Sequence, residues 1–201
     1  MQWSGQSVIA LAVAASGALL VTACGGGAKG ATVLRPPTAL EVLARALPEL
    51  TRRHPGGVIE AVYSVGIPRA TSIDEWAVQV WAPDAGRMLD YRTVRGQLQG
   101  LLAQATLSAT PLPPIVRLDG EVVPNLVDSD QALALADDAG ASRFTRETGA
   151  RLRSMSLSTR RDGQVVWSIS FTKPGTQSQL TVRLDAMSGT LLERIEGGAG
   201  T

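Results

Sequence analysis

The chain has 201 residues, 44% of them hydrophobic, which is enough apolar surface to bury a core in one large domain or two small ones. Its 19 Lys and Arg nearly cancel its 18 Asp and Glu, so no global field draws it to nucleic acid or another polyanion. The single cysteine, Cys24, excludes an intramolecular disulfide and a cysteine-based metal cluster, and leaves folding to packing.

Residues 8–21 read VIALAVAASGALLV, an apolar run shorter than the roughly 20 residues that a membrane-spanning helix needs. Val21-Thr22-Ala23-Cys24 follows at once. This tetrad resembles the lipobox of bacterial lipoprotein precursors, in which small residues precede a lipidated cysteine. The resemblance implies a signal peptide over 1–23, Cys24 as the lipid-bearing mature N-terminus, and a membrane as the partner of that lipid. A thiol suits the modification because its thiolate is a good nucleophile for alkyl transfer. The segment Met1 to Gln6 departs from the pattern by carrying no Lys or Arg.

Gly25-Gly26-Gly27-Ala28-Lys29-Gly30 reads as a flexible tether, so 24–37 form the anchor and linker. Gly25, Gly27 and Gly30 also match G-x-G-x-x-G. No strand pattern precedes them and Pro36-Pro37 follow, so the dinucleotide-binding reading lacks its structural context.

A first unit is expected over 38–110. Thr38-Ala-Leu-Glu41 is a capping box, and Leu40, Leu43, Leu47 and Leu50 fall at helical spacing. Pro48 should kink or restart that helix before His54-Pro55-Gly56-Gly57 ends it. Alternating strands follow at Ile59 to Val65, at Trp76 to Val80, and near Met88 to Val94. Pro111-Leu112-Pro113-Pro114 marks a boundary, and within the linker 111–127 the run Ile115 to Val123, around Asp119-Gly120, reads as a hairpin able to bridge two sheets.

A second unit is expected over 128–196, with 197–201 as a tail. Ser129 opens an alanine-rich helix running to about Ala139, and a variable stretch leads to a strand from Leu152 to Thr159. After the Asp162-Gly163 turn, Trp167, Ile169 and Phe171 point one way while Ser168 and Ser170 point the other; Leu180, Val182, Leu184 and Ala186 repeat the alternation. Such a sheet buries one face, and the preceding helix is the nearest cover, which gives an α+β fold. Thr38 and Ser129, Trp76 and Trp167, and Pro83 and Pro174 are all separated by the same 91 positions, so the expected architecture is two repeats of one helix-plus-antiparallel-sheet unit.

The end of the second unit, Trp167-Ser-Ile-Ser-Phe171 followed by Leu180 to Glu193 with Asp185-Ala186-Met187-Ser188-Gly189, resembles the PepSY domain family. The resemblance covers about 128–196. It implies a helix followed by a small antiparallel sheet with a tight closing turn, and a role in the cell envelope such as peptidase inhibition. The first unit matches only in its helix and tryptophan strand, because Tyr91-Arg-Thr-Val-Arg-Gly96 stands where the closing turn should be.

Reactive groups are few. His54 is the only histidine and sits in Arg52-Arg53-His54-Pro55 at a helix end, where cations complement the dipole, so a structural or solvated role is expected. No G-x-S-x-G, H-E-x-x-H, Walker loop or C-x-x-C occurs. Asp128-Ser129-Asp130 lacks the later Gly and Glu of a calcium loop and reads as a helix cap; Asp74-Glu75 and Asp137-Asp138 diverge as sequence neighbours do. Asp185 and Ser188 fit a tight turn. Trp76 and Trp167 should fill the core, whereas Trp81 faces away from Trp76 and is the candidate contact for a partner. No catalytic residue, metal or cofactor is expected. The reading is an exported, membrane-anchored, non-catalytic module that binds an envelope protein or peptide, or inhibits a peptidase. Its alternative is a carrier of a lipid or other apolar ligand between helix and sheet, and cavity volume separates the two.

Overall fold

Thr38 holds an extended conformation, and its hydroxyl accepts from the Glu41 amide while the Glu41 carboxylate accepts from the Thr38 amide. This closed box starts α1 (Ala39–Arg53), with Arg52 and Arg53 in its last turn. The structure, a computed structural model, describes residues 35–66, 73–105, 112–119 and 124–198, all within a compact unit that begins at Arg35. The signal segment, Cys24, the glycine-rich tether, residues 120–123 of the expected hairpin and residues 199–201 lie outside the described residues.

Pro48 neither breaks nor restarts α1. The helix runs through it because Ala39, Val42, Leu43, Ala46 and Leu50 form a buried stripe along its length. That packing outweighs the single backbone hydrogen bond that proline removes.

The second helix, α2 (Ser129–Asp138), is capped by Asp128 and not by Ser129. Asp128 has the extended backbone of a cap, and Gln131 completes the reciprocal box. The Ser129 hydroxyl is engaged elsewhere, accepting from the Ala39 amide of α1 at 3.0 Å. The stretch expected to be variable contains α3 (Ala141–Thr148), which follows Gly140 at φ 101 and buries Phe144. Glycine is needed at that junction because a side chain disfavours positive φ.

Among the described residues, five strands lie between α1 and α2, namely β1 (Val58–Ser64), β2 (Glu75–Ala82), β3 (Arg87–Val94), β4 (Gln97–Ala105) and β5 (Val116–Arg117), and four follow α3, namely β6 (Arg151–Thr159), β7 (Val165–Thr172), β8 (Gln179–Asp185) and β9 (Leu191–Gly197). They form one sheet in the order β4-β3-β2-β1-β6-β7-β8-β9, with β5 beside the start of β1. Every pair is antiparallel. The expectation of two sheets bridged by a linker hairpin is therefore corrected. Val62 of β1 pairs directly with Leu157 of β6, which joins two apolar faces into one and satisfies two backbone edges that separate sheets would leave open. The described part of the linker contributes β5, with Val116 beside Ile59.

Helices pack over the sheet on both sides of the β1–β6 junction, and each side is locked by an indole. Trp76 donates its Nε1–H to the Pro37 carbonyl at 3.2 Å, and Trp167 donates to the Val127 carbonyl at 2.8 Å. Pro37 and Val127 each immediately precede a helix cap, so both indoles hold the entry of a helix against the sheet. Both rings are buried, with Val78, Val80, Leu157, Ile169, Leu180 and Val182 beside them in one continuous core. The closing turn of the first half is the two-residue Arg95-Gly96 reversal at φ 52 and 78; the second half uses the longer Asp185–Gly189 turn.

Candidate functional site

Four places gather polar or exposed apolar groups. The first is the junction of the helix starts. The Asp128 carboxylate accepts from the Thr38 hydroxyl at 2.5 Å, from the Leu40 amide at 3.1 Å and from the Ser129 amide at 2.6 Å. One anion thus caps two helices, which places it where both dipoles favour negative charge. Beside it lies an open surface groove of about 230 Å³, lined by Pro36, Pro37, Ile73, Trp76, Asp130 and Leu133 among others. That is below the roughly 300–1,000 Å³ of typical small-molecule sites.

His54 is the second place. It ends α1, with its amide donating to the Leu50 carbonyl at 2.8 Å, and the residue is 8% exposed. Its Nε2 lies 2.6 Å from the Tyr91 hydroxyl, and its Nδ1 lies 3.5 Å from Asp84 Oδ1 without a hydrogen bond. Arg53 stands over the Tyr91 ring at 5.8 Å. Histidine and tyrosine are turned into the core, so the group ties the end of α1 to β3. It offers no exposed nucleophile.

Two carboxylates show opposite electrostatics. The Asp185 carboxyl is held below the usual aspartate range, first by the Ser188 amide and then by the Gln164 side chain, with the Ser188 hydroxyl and Met187 amide adding to it. Asp185 Oδ1 accepts from Met187 N at 3.0 Å and Ser188 N at 2.8 Å, so this acid shapes the closing turn. Burial pushes Glu60 up, partly countered by the Leu112 amide that donates to its Oε1 at 3.0 Å. Glu60 sits at the irregularity of β1 between Ile59 and Ala61, where an extra residue disturbs the alternation.

The third place is the sheet face turned away from the helices. Trp81 lies on it, opposite in sense to Trp76, and is half-buried between its register partners Val58 and Met88. On the same face, Tyr63 is raised above its ordinary value by burial and by Asp90, the Gln79 amide donates to Asp90 at 3.0 Å, and Arg92 pairs with Glu75. The ladder continues into the second half through Ser156, Ser168 and Ser170.

The edges of the sheet are the fourth place. β4 and β9 end the strand order, so each has one backbone edge with no strand beside it among the described residues. Every residue of β9 is exposed on both faces. Large apolar side chains cluster on these elements: Leu101 and Leu102 on β4, Leu191, Leu192 and Ile195 on β9, and Met187 in the turn before it.

Sequence reasoning pointed to Trp81 and to the Asp185 turn. It missed the shared cap at Asp128, the buried His54–Tyr91 pair, Glu60 and the identity of the strands that end the sheet, all of which depend on partners remote in sequence. The one available signal was the charge in Ile59-Glu60-Ala61, inside an otherwise apolar strand. Among the described residues, no group of three or more His, Cys, Asp or Glu side chains is placed to hold a metal ion, and no helix is long and apolar enough to cross a membrane.

No protein-family model matches the chain, and no curated protein matches it. Among solved structures it is similar to a candidate lipoprotein from Clostridium difficile 630, with 14% sequence identity and a TM-score of 0.47, over 77% of this chain and 92% of that one.

Proposed function

We propose that the protein is a lipid-anchored envelope protein whose folded part is a non-catalytic binding module for another protein or an extended peptide. The anchor rests on the lipobox-like Val21–Cys24 segment. The observation that carries the binding reading is the pair of sheet edges, β4 and β9, that no strand covers among the described residues, because an extended chain can add to such an edge by backbone hydrogen bonds without any reactive side chain. Trp81 on the helix-free face supplies an aromatic anchor. The two halves, with their matching indole locks on Pro37 and Val127, support reading them as copies of one PepSY-like unit.

Packing favours this module over a carrier of apolar ligands. Trp76, Trp167, Leu43, Leu50, Met155 and Ile169 fill the space between helices and sheet. The groove beside Asp130 is open and small for an acyl chain.

A photo-crosslinking residue placed in intact cells at Trp81 or Leu101, with Gly163 in the β6–β7 turn as control, tests the proposal. Discrete adducts with one envelope protein from the first two positions, reproduced with purified components, are expected. A stoichiometric co-purifying lipid, or equal adducts from all three positions, overturns it.

A further inference from the structure

We propose that the β9 edge is a self-complementary interface, and that two copies of this chain pair there antiparallel, centred on Ile195, into one continuous sheet. The inference rests on the anchoring proposed above for its effective concentration, and on the sequence of β9 for its geometry.

β9 reads Leu191-Leu192-Glu193-Arg194-Ile195-Glu196-Gly197. An antiparallel pair of identical strands related by a twofold axis must place one residue opposite itself. Centring on Glu193 or Glu196 opposes two carboxylates, and centring on Arg194 opposes two guanidinium groups. Like charges directly opposite each other are destabilising. Centring on Ile195 places Ile195 against Ile195 of the second copy, Arg194 against Glu196 twice, and Glu193 against glycine. Within one copy Arg194 already pairs with Glu196 at 2.8 Å, so the dimer forms a square of alternating charges on the helix side of the sheet.

The opposite face of that register is apolar at its centre. Ile195 is 42% exposed there, and pairing covers it. The stretch Glu193–Gly197 is also the regular part of β9, since the irregularity in its ladder with β8 falls between Arg183 and Leu184. β4 lacks this advantage: its ladder with β3 is interrupted twice.

The symmetry suits two anchored copies. A twofold axis perpendicular to the sheet keeps the helices of both copies on one side. Arg35, the first residue of the folded unit, belongs to that side, where it lines the groove with Trp76 and Leu133. Arg35 stands eleven positions after Cys24, a contour length of at most roughly 40 Å, which lets the lipids of both copies reach one bilayer. An interface of five residue pairs is small, and confinement to one membrane supplies the effective concentration it needs. The helix-free face with Trp81 and the two β4 edges then remain for other partners.

Crosslinking in vesicles carrying the full lipidated chain decides the matter. The natural cysteine is consumed by the lipid, so Ile195→Cys introduces a lone thiol, and directly opposed residues of an antiparallel pair lie about 4.5–5.5 Å apart at Cα, within disulfide range. Mild oxidation should yield a covalent dimer from Ile195→Cys and at least tenfold less from Glu193→Cys, which this register places far from its own copy. In the Ile195→Cys background, Arg194→Glu or Glu196→Arg alone should reduce the dimer at least fivefold, and the two together should restore it. Equal crosslinking at 193 and 195, no crosslinking at 195, or no rescue by the double exchange overturns the pairing. Sedimentation of the vesicles separates this from the anchor: chain that stays in the supernatant overturns the anchoring reading, whereas anchored chain without an Ile195→Cys dimer overturns the pairing alone.

Discussion

Thr38 and Asp128 stand 90 positions apart in the chain, yet the two helix caps are hydrogen-bonded to each other, the hydroxyl of one donating to the carboxylate of the other at 2.5 Å. The starts of two helices are thereby tied together. Because Asp128 also receives the Leu40 amide, it acts on α1 as much as on the helix it begins.

Asp128→Ala should therefore cost more than one ordinary cap. A single cap is worth about 1 kcal/mol, and loss of this carboxylate leaves donors of two helices unpaired, so about 2–3 kcal/mol is expected from urea unfolding. Asp128→Asn, which can still accept, should cost less than half as much. A loss below about 0.5 kcal/mol for the alanine variant would show that water replaces the carboxylate.

Truncating either indole tests the two locks. Trp167→Ala should destabilise by about 3–5 kcal/mol, the usual cost of deleting a buried aromatic, because the residue is fully buried. Trp167→Phe keeps most of the volume and removes the donor to Val127, so about 1–2 kcal/mol is expected from the orphaned carbonyl and the smaller ring. Emission of Trp167 alone, with Trp3, Trp76 and Trp81 replaced by Phe, should be that of a shielded indole.

The two perturbed carboxylates should act in opposite directions with pH. Asp185 is depressed in the folded state, so its contribution is present above the ordinary aspartate value and is lost as pH falls from about 4 through its lower folded value. Asp185→Asn should flatten the acid limb of the stability curve. Glu60 is raised, so its stabilisation is full below the ordinary glutamate value and is lost as pH rises through the folded value. Glu60→Gln should accordingly raise the melting temperature at pH 7 and change it little near pH 4. The reverse ordering in either pair would contradict the assigned environments.

Replacing Cys24 with Ala should stall or release the precursor. Acyl chains contribute roughly 0.8 kcal/mol per buried CH₂, and no helix among the described residues is long and apolar enough to span a bilayer in their place. Fractionation of cells expressing Cys24→Ala checks this. A variant that still sediments with membranes after unchanged processing at Ala23 would contradict it.

Much of the local structure was legible because its causes are local. The box at Thr38 and Glu41, the alternation of Trp167, Ile169 and Phe171, and the glycine of the Asp185 turn follow from backbone sterics and side-chain period. The cap at Asp128 was displaced by one residue for a tertiary reason: the Ser129 hydroxyl, an equally good cap by type, is drawn to the Ala39 amide across the helix junction. Pro48 misled in the same way, since its local cost is set against a packed stripe that only the folded helix possesses.

By itself the sequence determined a mixed helix-and-antiparallel-strand fold, the buried face of β7 and β8, the direction of Trp81, and an N-terminal segment with the pattern of a lipid anchor. It could not determine that all the strands share one sheet, nor that the irregularity at Glu60 puts Ile59 and Tyr63 on opposite faces of β1. Strand pairing depends on which edges meet, and the apolar alternation of β1 and β6 is the same whether they face each other or solvent-side partners. Only the tertiary structure set Val62 beside Leu157, brought Thr38 to Asp128, and placed β4 and β9 at the two ends of the strand order. The physical reason is that period and capping act over a few residues, whereas register between remote strands is fixed by the burial of a common face and the satisfaction of backbone groups far apart in sequence.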